Sequence, residues 1–166
     1  MVRRMLDGMP SAANEITGEQ AETSSTATLV VEQFLEHLRS KDIDRAAALL
    51  AVDVEYENVG LPMVRGRERV RRLLRATLGR AAAGFEVYVH AISADGSTVL
   101  TERTDVLKLG RLRVQFWVCG RFDVRDAEIV LWRDYFDHAT VAAATVRGLL
   151  GTVVPAARAK PPPSPA

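Results

Sequence analysis

Leu29, Val30, Phe34, Leu35 and Leu38 recur at intervals of three and four, which places them on one face of a helix, and Thr26 or Thr28 stands where its cap belongs. A short second helix follows. Asp42 or Asp44 opens it, Ala47, Leu49 and Leu50 supply its apolar side, and VDVEYENV then alternates as a strand. Beyond the loop GLPMVRG, the stripe Val70, Leu73, Leu74, Leu78 predicts a third helix with leucines toward the core and arginines away from it. From about residue 85 the period changes to two. GFEVYVHAIS, TVLTERTDVLKL, LRVQFWVCGRFDV and EIVLWRDYFD read as four long strands, joined by ADGS, LGR and VRDA, which are short enough for hairpins. A last helix is expected from His138 or Ala139 toward Leu150. The pattern predicts an α+β domain whose early helices cover one face of a curved, largely antiparallel sheet.

The ends of the chain lack such patterning. Residues 1–25 are rich in Ser, Thr, Ala, Glu and Gln and show no apolar stripe, so they are expected to stay disordered. Residues 152–166 finish in AARAKPPPSPA, a Pro-rich tail with few backbone donors. The folded unit is expected at 26–151.

Composition narrows the function. Of 166 residues, 22 are Lys or Arg and 21 Asp or Glu, a net charge of +1, and this balance argues against a nucleic-acid partner. The basic start MVRRMLDGMP is broken by Asp7, Gly8 and Pro10 before a signal peptide can form, and every apolar run is too short for a membrane span. The only cysteine, Cys119, excludes an internal disulfide and fits a reducing cytoplasm. No metal is expected, because His37, His90 and His138 lack paired-ligand spacing, and no glycine-rich phosphate loop follows a strand. Seven arginines lie between Arg65 and Arg80; Arg67, Arg71 and Arg75 form a ridge expected to be a solvated helix face.

Alternation assigns the chemistry to faces. Leu112, Val114, Phe116, Val118 and Phe122 share one side of their strand, and Val130, Trp132, Asp134 and Phe136 share one side of theirs. Arg103 and Asp105 project together, as do Val54, Tyr56 and Asn58. If these faces line one cavity, two carboxylates and one guanidinium meet inside an apolar wall. A single cation cannot neutralise both acids, so the pair favours one shared proton and offers an acid beside a base. The lining expected for such a cavity is Val54, Leu112, Val114, Phe116, Val118, Trp132 and Phe136, which suits an apolar substrate.

The segments YEN at 56–58, ERTDVL at 102–107 and WRDYFD at 132–137 resemble the limonene-1,2-epoxide hydrolase family in order and separation, over approximately residues 27–140. The resemblance implies a cone-shaped fold of the nuclear transport factor 2-like type, with helices closing a deep apolar pocket on the concave face of a mixed sheet. It implies cofactor-independent addition of water to an apolar epoxide, giving a vicinal diol in one step. Asp134 would act as general base on a water held by Tyr56 and Asn58, Asp105 as general acid, and Arg103 as the bridge between them. A terpenoid, lipid or sterol-like epoxide is equally allowed.

Two other readings share the fold: an isomerase of the ketosteroid type, disfavoured by the doubled Asp and bridging Arg, and a non-catalytic lipid-binding or dimerisation module. Tyr88, Ile92, Trp117, Cys119 and Ile129 are expected on the opposite face of the sheet, where they would support a homodimer, which the resemblance also implies.

Overall fold

A computed structural model of the chain describes residues 12–154, 156, 159, 160 and 162, with side chains from residue 18 onward. Its elements are α1 (Ala12–Arg39), α2 (Ile43–Ala48), β1 (Leu50–Asn58), β2 (Val64–Arg65), α3 (Arg67–Leu78), β3 (Ala83–Asp95), β4 (Thr98–Leu109), β5 (Leu112–Arg125), β6 (Glu128–Tyr135) and α4 (His138–Val153). The strands form one sheet in the order β2-β1-β6-β5-β4-β3. All neighbours are antiparallel except β1 and β6, which run parallel, so the sheet is mixed. That parallel pair closes the chain on itself: a strand from the first third lies beside the last one.

The first helix is much longer than the apolar stripe requires. It begins at Ala12 rather than at Thr26 or Thr28, so residues 12–25 are helical where disorder was expected; residues 1–11 lie outside the described residues. Ala, Glu and Gln are good helix formers, and no proline falls between Ala12 and Arg39. The hydroxyls of Thr23 and Thr28 bond back to the carbonyls of Glu19 and Ser24, so Thr28 does not cap. Among its described side chains α1 buries Ala27, Val30, Val31, Phe34, Leu35 and Leu38, while Leu29 is exposed.

Asp42 caps α2 through its bond from the Arg45 N–H, and Asp137 caps α4 through that from Ala139. The arginine ridge of α3 is not simply solvated. Arg67 donates to the Leu50 carbonyl and to Glu128, and Arg71 and Arg75 both pair with Asp44 of α2. These contacts pin α3 over the open side of the sheet, with Val70, Leu74 and Leu78 buried beneath it.

Two β-bulges correct the expected outer face. The β3–β4 register shifts between Val89 and Ala91, so His90 is an extra residue and the alternation flips beyond it. Val89 and Ile92 therefore both pack against the core, and Ile92 leaves the outer face. The β5–β6 register shifts between Asp123 and Val124 with Val130 opposite the break, which turns Ile129 inward to zero exposure. Trp117, Leu100 and Tyr135 are exposed. No helix among the described residues is long and apolar enough to cross a membrane.

Candidate functional site

The sheet register alone aligns the strands that carry the site. Thr101 of β4 faces Gly120 of β5, Gly120 faces Asp134 of β6, and Asp134 faces Asn58 of β1. Four strands thus contribute to one row across the concave face. Tyr56 faces Trp132 one step along, and Asp105 faces Phe116 on the other side of Arg103.

Arg103 belongs to β4 and Asp134 to β6, two strands away, so their backbones are separated by roughly 9–10 Å. The guanidinium spans that gap by lying over β5 at Gly120. A Cβ built on Gly120 would collide with Nη1 of Arg103 and sit 2.7 Å from the Thr101 hydroxyl. Only glycine leaves room for this crossing. The ring of Phe122 flanks the cation, 5.8 Å from Cζ to its centroid.

Arg103 donates from Nε to both oxygens of Asp105, at 3.0 and 3.3 Å, and from Nη2 to Oδ1 of Asp134 at 2.7 Å. Its Nη1 donates to Oγ1 of Thr101 at 3.0 Å. The exposures of Arg103, Asp105 and Asp134 are 1%, 5% and 5%. Beside them Nδ2 of Asn58 donates to the Tyr56 hydroxyl at 2.7 Å, which leaves the phenol proton and the Asn58 Oδ1 directed elsewhere. The structure therefore brings Tyr56, Asn58, Arg103, Asp105 and Asp134 together, a meeting that their spacing and faces allow but do not require.

Burial dominates the electrostatics. It pushes the Asp105 carboxyl up to about 6; Arg103 opposes the rise and Asp134 adds to it. Arg103 is penalised by its own burial, but the adjacent Asp134 and Asp105 outweigh that and hold its proton more firmly than in water. Tyr56 is driven upward by burial and then by Asp134, so the phenol stays protonated at any working pH. A weak carboxylic acid, a permanent cation and a committed hydroxyl donor stand side by side.

Tyr56, Asn58, Asp105 and Asp134 line a cavity of about 400 Å³, which Arg103 itself does not reach. Phe116, Trp132 and Phe136 line it as expected. Val54, Leu112, Val114 and Val118 share the right face but do not reach it. Val54 is fully enclosed in the core, Val118 is packed at 1% exposure beside Arg103 in the ladder, and Leu112 lies where α4 approaches at Gly148. The strands are longer than the cavity, so face alone does not define its wall. The helices supply the rest: Leu38 from α1, Leu73, Leu74, Thr77 and Leu78 from α3, and Val141 from α4. Leu61, Phe85, Leu107 and His138 complete it. The α3 stripe was legible as apolar but reads as core, since nothing local distinguishes a leucine facing a cavity from one facing a neighbour. His138 donates from Nε2 to the Val59 carbonyl at 2.8 Å and ties the start of α4 to the loop after Asn58.

Several known proteins share this arrangement of chain. The family model described as the limonene-1,2-epoxide hydrolase catalytic domain matches residues 25–147. The epoxide hydrolase EphG of Mycobacterium tuberculosis (strain ATCC 25618 / H37Rv) is 53% identical over 129 residues, which cover 78% of this chain and 85% of that protein. A solved M. tuberculosis LEH-like epoxide hydrolase superposes with a TM-score of 0.78 at 50% identity, covering 83% of this chain and 97% of the other. A putative ketosteroid isomerase from Kribbella flavida DSM 17836, with a TM-score of 0.58 at 19% identity over 85% of each chain, shares the fold alone. With the family model spanning most of its length and a relative more than half identical, the chain belongs to the limonene-1,2-epoxide hydrolase family.

Proposed function

We propose that this protein is an epoxide hydrolase that adds water to an apolar epoxide and releases a vicinal diol. The observation that carries the reading is the single guanidinium of Arg103 spanning two carboxylates, each 5% exposed, at the wall of a largely apolar cavity. Opening an epoxide with water requires a developing hydroxide and a developing alkoxide, both poor species near neutrality, and concerted proton transfer avoids both. Each well-placed acid or base is worth about 10² to 10⁴ in rate.

In this mechanism Asp134 is the base. A water seated between Asp134, Tyr56 and Asn58 donates one proton to Asp134 and the other to Oδ1 of Asn58, and accepts from the Tyr56 hydroxyl; its free lone pair then points at the ring carbon. As the oxygen–carbon bond forms and the ring carbon–oxygen bond breaks, Asp134 takes the water proton and Asp105 delivers its own to the leaving oxygen. Arg103 keeps the two acids in register throughout, and solvent returns the proton from Asp134 to Asp105. No cofactor takes part. The second carboxylate sets this reading apart from an isomerase, which needs one base to move one proton.

The apolar wall selects terpenoid-, lipid- or sterol-like epoxides. We assign the catalytic unit to 26–151 with the Pro-rich segment as an appendage, in the cytoplasm, and infer a homodimer resting on the side of the sheet where Trp117 is exposed. Incubating the purified protein with a panel of terpene, fatty-acid and sterol epoxides tests the activity. Diol formation that disappears in Asp105→Asn and in Asp134→Asn is expected; no diol from any member, or full turnover by either variant, overturns the proposal.

A further inference from the structure

An arginine fork pairs most favourably with a single carboxylate, both donors engaged in parallel. Here the Nε and Nη2 corners are divided between Asp105 and Asp134. Something must hold the guanidinium in this divided position, and the remaining nitrogen shows what does. Nη1 donates to Oγ1 of Thr101, a side chain only 1% exposed, on the far side from the carboxylates. Arginine has no acceptor, so the Thr101 hydroxyl must accept here and send its own proton elsewhere. The carbonyl of Gly120, 3.5 Å away, receives it. Thr101 is thus seated between the cation and the one residue whose missing side chain lets the cation cross the sheet.

We infer that Thr101 is a positioning residue for the reaction: it anchors the third nitrogen of Arg103 and so keeps the guanidinium shared between the two carboxylates. The inference rests on the acid and base roles proposed for Asp105 and Asp134. Without the anchor, Arg103 swings into two-donor pairing with one carboxylate and abandons the other. The substrate cavity is untouched, because Thr101 does not line it. β-branching adds to the effect by restricting χ1, which fixes the direction of the hydroxyl.

The test compares Thr101→Val, which keeps the shape and removes the acceptor, with Thr101→Ser, which keeps the acceptor. Both are assayed on an epoxide that the unaltered protein turns over, alongside Asp105→Asn and Asp134→Asn. Misplacing a catalytic group by about 1 Å can cost on the order of 100-fold, so Thr101→Val is expected to lose about ten- to a hundredfold in kcat with KM within about twofold. Thr101→Ser is expected to recover most of the loss. Unchanged kcat in Thr101→Val, equal losses in the Val and Ser variants, or a loss carried in KM overturns the inference. If Thr101→Val does not fold, Thr101→Cys, close in size and a weak acceptor, takes its place with the same expectations. Full turnover in an Asp→Asn variant instead refutes the assigned acid and base, a result distinct from failure of the Thr101 inference.

Discussion

Replacing Asp105 by Asn should change how stability depends on pH, by an amount that follows from its burial. In the folded protein the Asp105 carboxyl is pushed up to about 6 from an ordinary 3.8, chiefly because the charged form is desolvated. The folded state therefore binds this proton more tightly than the unfolded chain does. Its stabilising contribution is complete below the unfolded value and is lost as pH rises through about 6. The gap is about 2 units, and at about 1.36 kcal/mol per unit it corresponds to roughly 3 kcal/mol of stability forfeited by pH 7.5. With the residue 5% exposed, solvent screening removes little of this. Asn carries no titrating proton, so the variant should lack this component. Urea unfolding of both proteins, followed by tryptophan fluorescence between about pH 4 and 7.5, gives the difference directly. The variant is expected to gain on the unaltered protein by up to about 3 kcal/mol as pH rises across this range. A difference independent of pH, or one that grows in the opposite direction, would refute the claim that burial keeps this acid weak.

Other consequences follow from the same geometry. Gly120→Ala places a methyl group against Nη1 of Arg103, and such overpacking costs typically 1–3 kcal/mol; thermal unfolding should register this loss, and kcat should fall by at least about tenfold as the bridge is displaced. If Asp105 is the acid, as proposed, it must be protonated to act, so kcat/KM should decline as pH rises through about 6, and a flat profile to pH 8 would count against that role. The corresponding limb in kcat should lie higher, since a bound apolar substrate expels water and burial already raises this carboxyl. Tyr56→Phe removes the acceptor for Asn58 and the proposed donor to the attacking water, so kcat should drop by about 10² while KM moves little in steady-state kinetics.

Much of this site was legible because strand alternation has a fixed period. Arg103 and Asp105 two apart, Tyr56 and Asn58 two apart, and Asp134 between Trp132 and Phe136 needed only that period to be assigned to one face. What alternation could not supply was pairing across the sheet. The parallel contact between β1 and β6, which puts Asn58 opposite Asp134, joins segments far apart in sequence and leaves no local mark. Bulges defeat the same logic from within: alternation points Ile92 and Ile129 outward, and the structure packs both inward. The length of α1 was hidden for a different reason: a helical stretch of Ala, Glu, Gln, Ser and Thr has no apolar stripe to reveal it. Gly120 and Thr101 carry no local mark either, because only the path of the Arg103 side chain sets them apart from other strand residues.

If water activated by Asp134 attacks the ring directly, as proposed, no carboxylate becomes bonded to the substrate. A single turnover in ¹⁸O-water, with enzyme in excess over an epoxide it accepts, tests this most directly. The first diol released should carry one ¹⁸O and the protein none. An unlabelled first diol, with ¹⁸O recovered in an aspartate carboxyl, would show that an ester forms and that Asp134 or Asp105 attacks as a nucleophile.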